Sequence, residues 1–389
     1  MGSASDSNAG SGFSRTLLAT AIACAACGGP PSISTGGHGA YEASLIPIGD
    51  GFAVAWYDDR DGNAEIYFRL LDADGRPAGP ERRVTNDPEQ SYEADIQAVG
   101  DRLAIAWYDK AADKTLHARL GVWTKNGQRA WSTTLSGGGV NARNPIVRAS
   151  GSSLFVAWIE DAPSGPPHVW TAWWDDAGHQ TMLPRALAPV GPTTWNLNGA
   201  MDAGGTPWVV FDAKAGTKAD EIFAAHAVAS PTVVRLTDDD GKPSKYPDIV
   251  FGGGRAGLTW FDERDGNREV YFWSGAPDDL GSGVERSATR VTRTPGESIG
   301  AYVSWNAGRF GLAWNDDSPG QHEIFFEPFD GGGRSLAPAR QVTNSRTASL
   351  IPSIRPAKSG FALAWNETEL SAEGHEAPRR SDIGFAEVP

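Results

Sequence analysis

A short run of residues ending in an aromatic returns along the chain at a nearly constant interval, and that interval limits the fold more than any other property. Phe52-Ala-Val-Ala-Trp56 is the clearest copy; others end at Trp107, Trp158, Trp260, Trp314 and Trp365, with a degenerate one at Phe211. The anchors are separated by 51, 51, 53, 49, 54 and 51 residues. Units of this length are blades of a propeller, each stacking on its neighbours because it cannot bury its faces alone. At 389 residues the chain also exceeds what one hydrophobic core supports, which suits a core divided among seven units.

Within a unit the pattern is a four-stranded meander. Glu93-Ala-Asp-Ile-Gln-Ala-Val99 reads as the first strand, 103–108 as the second, 115–120 as the third and 131–135 as the fourth. Asp74-Gly75, Asn126-Gly127, Ala177-Gly178 and Gly331-Gly-Gly333 supply turns that tolerate positive φ between third and fourth strands. In the second strand, alternation puts Phe52, Val54 and Trp56 on one face and Ala53 and Ala55 on the other. Both faces are apolar, so the bulky face of one blade fills the space left by the small face of the next. The last unit ends after three strands, and Ser32-Ile-Ser-Thr-Gly36 precedes Tyr41 much as Arg83-Val-Thr-Asn86 precedes Tyr92. The expected fold is therefore all-β: a single seven-bladed propeller over residues 41–389, of four-stranded antiparallel blades, closed by an N-terminal strand that removes an exposed edge.

Residues 1–27 read as a signal region, with Arg15 before the apolar run Thr16-Leu-Leu-Ala-Thr-Ala-Ile-Ala23. Ala21-Ile-Ala-Cys24 resembles a bacterial lipobox, and Cys24-Ala-Ala-Cys27 fits about as well, so either Cys24 or Cys27 is expected to carry a lipid anchor. Residues 28–40 form a Gly/Pro/Ser-rich tether containing the closing strand. The expectation is export to the periplasm, outer membrane or cell surface as a monomeric lipoprotein whose membrane contact is made through the lipid. Both cysteines lie in this leader, so no disulfide framework holds the globular part. A formal charge of −14 without a basic stripe excludes a nucleic-acid partner.

Tyr57-Asp-Asp-Arg-Asp-Gly-Asn63 with Glu65-Ile-Tyr67, and Phe261-Asp-Glu-Arg-Asp-Gly-Asn267 with Glu269-Val-Tyr271, resemble the WD40-like repeats of TolB-type β-propellers, as does Arg83-Val-Thr-Asn-Asp87. The resemblance implies an exported bacterial propeller.

Two residues beyond most anchors stands a carboxylate: Asp58, Asp109, Glu160, Asp262, Asp316 and Glu367. One reading is a binding rim whose field attracts a cation or basic partner; the other is that each caps its own turn, with Arg60 and Arg264 as local counter-charges. Asp59-Arg-Asp-Gly-Asn63 lacks EF-hand spacing and the seven histidines lack paired metal spacing, so neither metal nor cofactor is expected. Sialidase Asp-boxes and a Gly-x-Ser-x-Gly elbow are absent from the sequence. The leading expectation is a non-enzymatic binding or scaffolding module of the cell envelope with a protein or glycan partner. The alternative is a carbohydrate-binding or glycoside-cleaving propeller with Trp195 in its site. One observation separates them: an enzyme shows an unequal pocket at the channel mouth with carboxylates and flanking aromatics, whereas a scaffold shows similar loops from blade to blade.

Overall fold

A computed structural model describes residues 32–35, 39–137, 139–191, 194–227, 231–281, 283–370 and 376–389. Cys24, Cys27 and His38 lie outside them, as does the signal region. The described residues form seven antiparallel sheets, each a meander in chain order. Blade one comprises Ala40–Ile48, Gly51–Asp58, Glu65–Leu71 and Arg82–Arg83. Blade two runs from Gln90–Val99 to Arg129–Thr134, blade three from Ala142–Ser150 to Gln180–Pro189 and blade four from Leu197–Met201 to Thr232–Arg235. Blade five runs from Ser244–Gly252 to Thr289–Arg290, and blade six from Ser298–Asn306 to Arg340–Gln341. Blade seven has three strands of its own, Ala348–Pro356, Phe361–Leu370 and Glu376–Val388. The first strands pack against one another around the ring, blade seven against blade one included, and so line a central channel. A 3-10 turn, Pro277–Asp279, and one helical turn, Val284–Ser287, interrupt blade five.

The large-on-small stacking expected from the second strands is what joins the blades. Trp107 shares a core with Ala53 and Ala55 of blade one, and Trp158 with Ala104 and Ala106 of blade two. Trp56 shares one with Ala362 and Ala364 of blade seven, which makes the stack a closed ring. Along the channel wall several first strands also reach the next through side chains. Ser353 Oγ accepts the Leu45 amide at 3.1 Å, Ser44 Oγ that of Ile96 at 3.3 Å, Asp95 Oδ2 that of Val147 at 2.8 Å and Asp248 Oδ2 that of Val303 at 2.9 Å.

The missing fourth strand of blade seven is supplied by the N-terminal segment, in a compact form. Residues 32–35 form a bend, and their bonds copy those at the fourth strands of blades one, four, five and six. The Ile33 amide donates to the Ile383 carbonyl at 2.7 Å, and the Ile383 amide to Ser34 Oγ at 3.0 Å. In blade one, Val84 donates to Ile66 at 2.7 Å and Ile66 to Thr85 Oγ1 at 2.8 Å; in blade six, Val342 donates to Ile324 at 2.7 Å and Ile324 to Thr343 Oγ1 at 2.8 Å. One apolar residue followed by a hydroxyl residue is thus the minimal fourth strand in blades one, four, five and six, and Ile33-Ser34 repeats it for blade seven. Ile33 is fully buried, in the core that holds Trp56, Ala364 and Ile383. Ile33→Ala should therefore lower unfolding free energy by roughly 2–4 kcal/mol in a urea titration, through lost burial and an unfilled cavity at the seam. A loss below about 1 kcal/mol would mean that the ring closes without this residue.

Candidate active site at the channel mouth

The six aligned carboxylates are built into the blades. Asp58, Asp109, Glu160, Asp262 and Asp316 are buried and Glu367 is half-buried. Strand alternation places each on the face of its anchor, two residues back, and in five of the six the indole N–H donates to it. The distances are 3.3 Å for Trp56 to Asp58, 2.7 Å for Trp107 to Asp109, 2.7 Å for Trp158 to Glu160, 3.1 Å for Trp260 to Asp262 and 2.8 Å for Trp365 to Glu367. Hydroxyls of the first strand complete the shell, Ser91 on Asp109 at 2.8 Å and Ser298 on Asp316 at 2.6 Å among them. Arg60 and Arg264 pair with Asp58 and Asp262, as the local counter-charge reading has it. The Asp-Gly-Asn loops are engaged likewise. Asn63 Nδ2 donates to the carbonyls of Asp87 and Glu89 at 3.1 and 3.0 Å, clamping the loop that leads into blade two.

A second ring, one strand further in, meets solvent. In six blades the first strand carries a bulge whose residue is left-handed: Glu42, Glu93, Asn144, Tyr246, Gly300 and Ile351, with φ between 48° and 63°. Five of the six are not glycine, so the backbone holds a conformation that L side chains rarely adopt. Neighbouring blades secure it: Asn366 Oδ1 accepts the Glu42 amide at 2.8 Å and Asp212 Oδ2 the Tyr246 amide at 3.2 Å. Blade four lacks the bulge, pairing Leu197 directly with Phe211. It brings Trp195 to the same rim from the preceding loop, where Asn144 Nδ2 donates to its carbonyl.

The resulting mouth is unequal around its circumference. Glu93, on blade two, accepts the Tyr108 hydroxyl at 3.3 Å, and the surrounding protein pushes its pKa up to about 7 against the pull of Tyr108 and Arg143. Burial raises the Tyr108 hydroxyl too, and the Glu93 and Glu42 charges push the same way, so it remains a donor. Beside this pair lies a groove of about 650 Å³ between blades two and three, bordered by Tyr92, Tyr108, Lys110, Lys114, Arg143, Asp161 and Trp195. Arg143 is buried and donates twice to the Thr194 carbonyl, at 3.3 and 3.2 Å, and once to Asp161 at 2.8 Å. Its guanidinium lies 4.9 Å from the ring centroid of Trp195, a residue that is 42% exposed. The indole is thus a fixed shelf with one open face, held by a cation beneath. Tyr246, also exposed, stands on the neighbouring blade.

Sequence reasoning singled out Trp195 but not Glu93, Tyr108 or Arg143. Their signal is present: all six bulge residues stand fourteen positions before their anchors. The period that locates the tryptophans therefore also locates the channel ring.

No family model matches the chain, and no curated protein does. Among solved structures, polysaccharide lyase Uly1 superposes with a TM-score of 0.58 at 10% identity over 90% of each chain. A Mycobacterium tuberculosis puromycin-hydrolyzing peptidase superposes at 0.54 and 12% identity, over 88% of this chain and 52% of its own. The phage phi92 endosialidase gives 0.52 and 10% identity, over 92% of this chain and 68% of its own. The chain spans about half the length of the peptidase. At these identities the likeness is one of architecture.

The raised pKa of Glu93 makes a signed prediction. A carboxyl with a folded pKa above its unfolded value contributes stability below about pH 4.5 that is lost as pH rises through about 7. Glu93→Gln, which keeps the neutral shape, should therefore gain on wild type between pH 4 and 8, by roughly 1–3 kcal/mol after allowance for partial exposure. Paired urea titrations across that range check it; parallel curves would mean that Glu93 ionises freely.

Proposed function

We infer that the chain is a carbohydrate-active propeller that binds a glycan across its channel mouth, with Glu93 as the proton donor for cleavage. The observation that carries this reading is the juxtaposition of the Trp195 shelf, the groove of about 650 Å³ and the shielded Glu93–Tyr108 pair, whose tyrosine borders that groove. An indole face takes the apolar face of a sugar ring, and a carboxyl that stays protonated near neutrality is suited to protonating a glycosidic oxygen. The mouth is unlike from blade to blade, with Glu, Glu, Asn, Tyr, Gly and Ile at the bulge positions, which favours a site over a repetitive scaffold. The lyase and the endosialidase, both named for action on glycans, share the architecture and so support the choice of substrate class. The leader belongs to the same proposal: export, with a lipid on Cys24 or Cys27, would present the propeller to extracellular or envelope polymers. The TolB-like loops of blades one and five then serve as clamps between blades.

The test is depolymerisation of a panel of polysaccharides, read as new chain ends. Glu93→Gln should slow cleavage about 100-fold or more while leaving binding in place, the usual scale for losing a general acid. Trp195→Ala should weaken binding about tenfold. Wild-type cleavage should fall as pH rises through about 7, where Glu93 loses its proton. Failure to bind any glycan would overturn the reading.

A further inference from the structure

We propose that the groove beside Trp195 selects an anionic glycan, one bearing carboxylate or sulfate groups, through the ammonium groups of Lys110 and Lys114. The inference rests on the glycan reading above and adds the charge of the substrate. Both lysines border the groove, and among the described residues neither has a carboxylate within ion-pair distance. The other charges there are already matched. Asp161 takes Arg143 on one oxygen at 2.8 Å and Asn141 Nδ2 on the other at 3.1 Å. Asp113, beside Lys114 in the loop, accepts the Thr115 amide at 2.9 Å and is exposed to solvent. Glu93 is held largely neutral below about pH 7. What remains along the groove is two unpaired positive charges.

That excess matters because of where it sits. With a formal charge of −14, the chain as a whole repels a polyanion. A local pair of ammonium groups beside a stacking surface is therefore a place where such a polymer lands in register, its sugar face on Trp195 and its acidic group toward the lysines. Lysine is a mobile point charge and does not demand the planar geometry that an arginine fork imposes, so carboxylate and sulfate are both accommodated.

The experiment is a binding titration of wild type with an oligouronate, a sulfated oligosaccharide and a neutral oligosaccharide of matched length, repeated on a Lys110→Ala/Lys114→Ala double variant and on Trp195→Ala. The double variant is checked first for an unchanged thermal midpoint. Wild type should prefer at least one anionic ligand over the neutral one by about tenfold at low salt, as two exposed charges allow. The preference should shrink at about 0.5 M salt, where screening acts within a few ångströms. The double variant should lose the preference and keep its affinity for the neutral ligand. Equal affinity of wild type for all three, weakened throughout by Trp195→Ala, would overturn the anionic selection and leave the glycan site standing. A preference that persists in the double variant would overturn the assignment to these lysines. Binding of none would overturn both readings.

Discussion

The structure depends on a hydrogen bond made inside single strands: a buried indole N–H given to a carboxylate two residues further along. An indole placed between two sheets has no water to satisfy it, and an unpaired donor there costs about as much as a lost hydrogen bond. Because strand side chains alternate, the residue at i+2 is the nearest position on the same face, and a carboxylate there solves the problem locally. The carboxylate then sits at the strand end, where it also takes the turn. Asp262 accepts Trp260, Ser244 at 2.8 Å and the Arg264 amide at 2.9 Å. One acidic side chain thus links the interblade core, the innermost strand and the outgoing loop. Trp314 is the exception: its indole N–H has no partner among the described residues, while Asp316 is taken by Ser298 and Thr294.

This arrangement explains which parts of the molecule were legible in the sequence. The anchors were legible because a large aromatic in a doubly buried strand leaves a period that survives changes elsewhere. The closing segment was legible because Ile33-Ser34 repeats the chemistry of Val84-Thr85. The channel ring was not, although its spacing is as regular, because its residue types share nothing: a glutamate, an asparagine, a tyrosine, a glycine and an isoleucine occupy equivalent bulges. Periodicity of a backbone conformation leaves no mark in composition. The regular carboxylates, conversely, drew attention by repetition, and repetition is what a structural role produces.

The site lies where the repeat departs from itself. Blade four lost its bulge and its tryptophan anchor, with Phe211 in place of an indole and Asp212, raised to a pKa of about 6 by burial, reaching across to the Tyr246 amide. That departure frees the loop before blade four to carry Trp195 to the rim. Blade three answers with Arg143, whose bonds to Thr194 and Asp161 lock the loop in place. The stiffness of the shelf comes from these contacts rather than from the loop itself.

The six bulges have a further consequence. Their left-handed geometry goes with the register shift of the strand pairing, and at Glu42, Tyr246 and Ile351 an acceptor from the adjacent blade holds the amide, so the setting is made by the backbone and its neighbours rather than by the side chain that the bulge displays. Residues of quite different size and charge occupy the same backbone setting, each aimed at the same axis. The ring behaves as a set of interchangeable sockets: exchanging an occupant alters the lining of the pore while the frame that presents it stays as it was. In such a molecule, a new ligand preference is reached by single replacements at fixed addresses, without reshaping a loop.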